Sequence, residues 1–154
     1  MDRLSPAHRS ENMRRIRSRD TSPELEVRRV LHRSGLRYRL HGPDLPGRPD
    51  LVFSGIRCCL FVHGCFWHGC RRCVDGTRRV KSKTKYWRQK IAGNSNRDAR
   101  HIQELKQLGW RVFVIWECDL RGQSQLNSLV RRLLSLRARQ AMKANAQGSS
   151  GGLT

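Results

Sequence analysis

Acidic residues are scarce: 12 Asp and Glu stand against 32 Lys and Arg in 154 residues, which leaves a formal net charge of +20. An imbalance of this size calls for a polyanionic partner, because Lys and Arg laid along a phosphate backbone release condensed counterions, and nucleic acid is the first candidate. Long apolar runs are missing as well. The longest, Cys58 to Val62 and Val112 to Trp116, fall far below the roughly 20 residues of a membrane-spanning helix. The basic stretch Met1–Arg19 is followed by no apolar core of a secretory signal, so a reducing cytoplasm is expected. There, six cysteines read as metal ligands or buried thiols rather than disulfides. No repeat or dividing linker is apparent, and the length suits one domain. At 37% hydrophobic, the chain still has the means to build a core, which excludes a wholly disordered basic polypeptide.

Local signals order the elements. Arg14, Arg15, Arg17 and Arg19 surround Met13 and Ile16 in a short cationic helix over Ser10–Arg19. Asp20 ends it. Thr21 or Ser22 can cap the next helix, with Pro23 and Glu24 in its first turn, and Val27, Val30 and Leu31 give a buried stripe that stops before Gly35. This predicts a helix over Ser22–Ser34. Strands are expected at Arg37–Leu40, Asp50–Phe53 and Ile56–His63, the last covered on both faces. Asp50 and His63 then lie near the ends of adjacent strands. Gly64–Lys83 has no periodicity and reads as a functional loop. Two helices, Thr84–Ile91 and Asn96–Leu108, are expected next, the second with Ala99, Ile102, Leu105 and Leu108 inward. Trp110–Trp116 reads as a central strand with both tryptophans in the core. Leu126, Leu129, Val130, Leu133 and Leu134 mark a last helix, and Gln147–Thr154 is Gly/Ser-rich.

Chemistry concentrates in the aperiodic loop. Cys65, Cys70 and Cys73, with Cys118 beyond the last strand, suit a tetrahedral zinc site closed by a ligand distant in sequence; incidental small hydrophobes are the alternative. Cys58 and Cys59 read as core. Asp50 is either a buried carboxylate that binds a cation or a surface Asp paired with Arg48. In His63-Gly64-Cys65-Phe66-Trp67-His68, His68 suits a general base, although a core or zinc-ligating histidine is also open. Phe66, Trp67 and Trp87 suit wedges between base steps. Phosphate contact is expected from Arg14, Arg15, Arg17, Arg19, Arg78, Arg79, Lys81, Lys83 and Lys85.

Taken in order, Ser10-Glu11-Asn12-Met13, Arg19-Asp20-Thr21-Ser22-Pro23-Glu24, Leu45-Pro46-Gly47-Arg48-Pro49-Asp50, His63 through His68, Tyr86-Trp87, Asn96-Arg97-Asp98, Gly109-Trp110-Arg111-Val112 and Trp116-Glu117-Cys118 resemble the very short patch repair mismatch endonucleases. The resemblance spans Ser10 to Gly122 and implies an α/β, restriction-endonuclease-like fold: a mixed central sheet flanked by helices, with a structural zinc loop. The expected organisation is a basic DNA-contacting segment over residues 1–20, an endonuclease domain over 21–143 and, from composition, a disordered tail over 144–154. The implied activity is magnesium-dependent nicking on the 5′ side of the thymine in a T·G mismatch left by deamination of 5-methylcytosine. Polymerase resynthesis would follow, and mismatch-repair proteins are possible partners of a cytoplasmic, nucleoid-associated monomer.

Carried over by motif, Asp50 would hold magnesium with the backbone carbonyl of Val62. His68 would be the base, and Glu24, His63 and Asp98 would support it. Phe66, Trp67 and Trp87 would intercalate, and Cys65, Cys70, Cys73 and Cys118 would bind zinc. Two features depart from related patterns. Phe61-Val62-His63 stands where the wider superfamily has an acid-x-lysine triplet, and Cys70 stands where some family members place a histidine, with altered spacing to Cys73. A zinc-stabilised DNA-binding protein without activity and a nuclease of the same fold with another substrate are the alternative classes.

Overall fold

The computed structural model describes residues 20–77 and 82–148. The helix expected over Ser10–Arg19, and Arg14, Arg15, Arg17, Arg19, Arg78, Arg79 and Lys81 as phosphate contacts, lie outside the described residues. The elements are α1 (Ser22–Arg33), β1 (Arg39–Leu40), β2 (Leu51–Phe53), β3 (Cys58–His63), α2 (Cys65–His68), α3 (Val74–Thr77), α4 (Thr84–Gln107), β4 (Arg111–Trp116) and α5 (Ser124–Gly148), with 3-10 turns at Ser54–Ile56 and Glu117–Leu120. No helix among the described residues is long and apolar enough to cross a membrane.

The sheet order is β1-β2-β3-β4, with antiparallel pairing up to β3 and parallel pairing between β3 and β4. Strand alternation divides the core. Cys58, Leu60 and Val62 of β3 join Val27 and Leu31 of α1 and Leu126, Leu129, Val130 and Leu133 of α5 on one face. Cys59 and Phe61 meet Leu105 and Ile102 of α4 on the other. All six residues of β3 are therefore buried, as its unbroken apolar run requires. Burial pushes the Cys59 thiol up to about 12, so it behaves as a packing group.

Four expectations need correction. The loop after β3 contains two single-turn helices, α2 and α3. The two helices expected between Thr84 and Leu108 are one 24-residue helix. Gly93 weakens it by about 1 kcal/mol relative to alanine, but the next two side chains tie it to α2: Asn94 donates to the Trp67 carbonyl at 2.9 Å and Ser95 to that of His68 at 3.0 Å. Ile102 and Leu105 face the core as expected, whereas Ala99 and Leu108 are exposed. β4 stands at the end of the described sheet rather than at its centre. Guanidinium groups cover its aromatics there, Arg57 over Trp110 at 5.0 Å and Arg132 over Phe113 at 4.9 Å, leaving Trp110 and Trp116 half-buried. Finally, α5 runs to Gly148, so residues 144–148, expected in the tail, are helical.

Leu60 is fully buried whereas Leu108 is 55% exposed. Leu60→Ala should cost about 2–5 kcal/mol in urea unfolding, and Leu108→Ala less than about 0.5 kcal/mol. Equal losses would contradict this division of the core.

Candidate active site

The register of β3 on β4 sets His63 beside Trp116, so the segments following both strands leave the sheet at one end. Asp50 reaches the same end from β2. Val62 lies two residues beyond the β2–β3 pairing, and its N–H donates to Asp50 Oδ2 at 2.7 Å. The N–H and C=O of a strand residue leave by the same edge, which directs the Val62 carbonyl towards the Asp50 side. Burial pushes the Asp50 carboxyl up to about 7; the Val62 N–H opposes this, and the neighbouring carboxylate of Glu24 adds to it. Among the described residues no ion pair joins Asp50 to Arg48, and Asp50 itself is half-buried.

The approach to Asp50 is rigid. Pro49 is fully buried, and Gly47 adopts φ +73° where an added Cβ would stand 2.8 Å from His101 Cβ on α4. Only glycine combines that backbone with that contact. His101 lies one turn from Asp98, so the segment leading to Asp50 rests on the helix that carries Asp98.

Glu24 is 3% exposed. The α1 N-terminus places it there: Thr21 caps the helix by accepting from Glu24 N at 3.4 Å. The Glu24 carboxylate in turn accepts from Asp20 N at 3.0 Å and from Arg28 at 3.0 Å.

His68 Nδ1 pairs with Asp98 Oδ2 at 2.5 Å, leaving Nε2 as the free ring nitrogen. His63 stacks on His68 with centroids 4.0 Å apart and planes within 2°, and Trp116 meets His63 edge-on at 5.0 Å. Burial, then the adjacent imidazole of His68, pushes His63 down to about 4. Its Nδ1 is buried without a hydrogen-bond partner. Asp50, Glu24, His63, His68 and Asp98 are thus brought to one end of the sheet.

On the outer side of α2, Phe66, Trp67 and Trp87 form a cluster with centroids 5.3–5.6 Å apart. Lys83 and Lys85 are exposed at the start of α4 beside it. Tyr86, met above only as part of a motif, and Lys90 have no role assigned from the sequence. Tyr86 packs on Trp87 at 5.3 Å, and Lys90 lies 5.6–5.8 Å from the centres of Trp67, Tyr86 and Trp87. The i, i+4 spacing of Tyr86 and Lys90, inside the helix expected over Thr84–Ile91, is the signal that could have found them.

Behind α2, the sulfurs of Cys65, Cys70, Cys73 and Cys118 all lie within 4.8 Å of one another, and those of Cys70 and Cys118 are 3.9 Å apart. A tetrahedron of thiolates around zinc has edges of about 3.8 Å, given Zn–S of about 2.3 Å. Backbone N–H groups support two of the sulfurs, Cys118 N to Cys65 at 3.4 Å and Gly76 N to Cys73 at 3.4 Å. The cluster can hold a soft divalent metal. At the sheet end, two carboxylates and a strand carbonyl are hard oxygen donors of the kind magnesium takes, and a cation offsets the mutual repulsion of Asp50 and Glu24.

A family model described as "DNA mismatch endonuclease Vsr" matches residues 1–74. The chain is 48% identical over 133 residues to the Type II nicking enzyme V.XorIIP of Xanthomonas oryzae, covering 86% of this chain and 96% of that protein. It is 46% identical over 124 residues to the DNA mismatch endonuclease Vsr of Escherichia coli, covering 78% and 76% respectively. To the Type II nicking enzyme V.NmeAIP of Neisseria meningitidis it is 39% identical over 136 residues, covering 86% and 96%.

The geometry predicts a silent histidine. In an NMR titration of the imidazole carbons, His63 should stay neutral from pH 8 to about 5 and charge only near 4; a midpoint near 6.5 would contradict its burial. Because the unfolded ring takes up its proton first, this residue should withdraw stability as pH falls from about 6.5 towards 4.

Proposed function

The chain belongs to the Vsr family of DNA mismatch endonucleases, and from that membership we propose that it nicks double-stranded DNA on the 5′ side of the thymine in T·G mismatches arising from deaminated 5-methylcytosine. The fold assignment that goes with this proposal is restriction-endonuclease-like. The observation that carries the proposal is the meeting, at one end of the sheet, of the Asp50–Glu24 carboxylates and the Asp98–His68 pair beside a half-buried aromatic cluster with exposed basic residues around it.

Asp50 and the Val62 carbonyl would hold Mg2+, with Glu24 adjacent. When bound, the ion supplies Lewis-acid stabilisation of the phosphodiester's developing charge and makes bound water more acidic. Asp98 fixes the His68 tautomer so that Nε2 takes the proton of the attacking water. His63, neutral and buried, backs His68 and keeps its ring plane fixed. Phe66, Trp67 and Trp87 enter between base steps. A T·G wobble pair is weakly stacked, so the wedge costs less there than at a Watson–Crick pair, and part of the selectivity is deformation energy.

Cys65, Cys70, Cys73 and Cys118 would hold a structural Zn2+, fixing α2 to the end of β4 and thereby His68 to the sheet. The basic segment over residues 1–20 and Lys83 and Lys85 would contact phosphates. A single nick needs one active site, so a monomer suffices. It would act in the cytoplasm at the nucleoid, ahead of a DNA polymerase and alongside mismatch-repair proteins. Relatives named as Type II nicking enzymes favour a second reading, a nickase of the same fold directed to another substrate.

With Mg2+ and end-labelled duplexes, the T·G heteroduplex should be cut in the thymine strand alone. Equal cutting of other mismatches or of paired duplex would support the second reading, and no cutting with any divalent metal would defeat both. Asp50→Ala should abolish cleavage and leave gel-shift affinity within a few-fold, and His68→Ala should lower the cleavage rate by about 10²–10⁴.

Metal analysis should find one zinc per chain. Cys70→Ala should lose it and lower the unfolding temperature; a zinc-free wild type would refute the assignment.

A further inference from the structure

Arg28 stands one helical turn beyond Glu24 on α1, with its side chain 12% exposed. Its Nη2 donates to Glu24 Oε2 at 3.0 Å and lies 3.3 Å from His41 Nε2, and its Nη1 meets Asp20 Oδ1 at 2.8 Å. The partners lead back to the candidate cleavage site by two routes. Glu24 faces Asp50 directly. His41 donates its backbone N–H to the Asp50 carbonyl at 3.0 Å. One planar guanidinium therefore ties the Glu24 carboxylate to the strand entry that carries Asp50.

From this geometry we propose that Arg28 is a positioning residue, which fixes the spacing of the Glu24–Asp50 carboxylate pair and through it the affinity of the site for a divalent cation. The inference deepens the proposed function and rests on its assignment of Asp50 as a metal ligand. Asp50 and Glu24 repel each other once both are ionised, and Glu24 left without its partner would be a buried, unpaired charge. Arg28 holds one of them without cancelling the field that attracts a dication, since its single positive charge stands against Asp20, Glu24 and Asp50. Geometry carries as much weight as charge here. A lysine offers one ammonium point, whereas the fork serves Asp20, Glu24 and His41 together.

The test is a double-mutant cycle read in two ways: equilibrium Mn2+ binding by electron paramagnetic resonance on the metal-free sheet-end site of the zinc-loaded protein, and nicking kinetics on T·G heteroduplex. Loss of a group that orients metal ligands typically costs 10- to 100-fold. Arg28→Met should weaken Mn2+ binding about tenfold and lower kcat about tenfold with KM for DNA unchanged. Arg28→Lys should recover part of both. In a Glu24→Gln background, Arg28→Met should add less than about twofold, because its target is gone.

Mn2+ affinity within twofold of wild type in Arg28→Met, or a full additive loss in the Glu24→Gln background, would overturn the proposal. If Arg28→Met does not fold, Arg28→Lys in both backgrounds decides by the same criteria. A wild type that binds Mn2+ but leaves T·G duplex intact would remove the proposed function, while the Mn2+ cycle would still decide the role of Arg28.

Discussion

The hydrogen bond from Val62 N–H to the Asp50 carboxylate, 2.7 Å long, is the contact from which the site is built. It forms where the β2–β3 ladder has run out, so a backbone donor that would otherwise be unpaired takes a side-chain acceptor. That exchange holds a carboxylate inward beside Glu24 at the sheet end, against its desolvation cost. Whatever moves the end of β3 moves Asp50.

Parallel pairing of β3 with β4 brings the remaining parts to this point. Cys65 follows β3 and Cys118 follows β4, so four sulfurs meet across the sheet end, where a bound metal would fix α2. With α2 fixed, His68 points back to Asp98 while Phe66 and Trp67 point out to Trp87. A four-residue helix has little stability of its own. The Asn94 and Ser95 contacts compensate on one side, and a metal held by the cysteine cluster would do so on the other, so His68, Phe66 and Trp67 share one short element.

Much of this was legible in the chain. Thr21, Pro23 and Glu24 mark the start of α1 correctly, since capping depends on residues in immediate succession. The apolar run of β3 announces burial on both faces, and the cysteine spacing points to a four-sulfur cluster before any contact is seen. Less legible was whatever depends on partners distant in sequence. Gly93 reads locally as a break, and only the contacts of Asn94 and Ser95 with α2 show why α4 continues through it. The apolar pattern of β4 gives no hint that it lies at a sheet end, because guanidinium groups from other segments lie over Trp110 and Phe113. Arg28 carries no signal in the chain beyond its i, i+4 spacing to Glu24; its contact with His41 exists only because the fold brings the two segments together.

The most direct test of the central contact is anomalous scattering from crystals of the zinc-loaded protein soaked in Mn2+. A manganese peak bonded to an Asp50 carboxylate oxygen and the Val62 carbonyl, with His68 facing it, is the result predicted here. A peak elsewhere, with Asp50 turned out to solvent or to Arg48, would contradict the account.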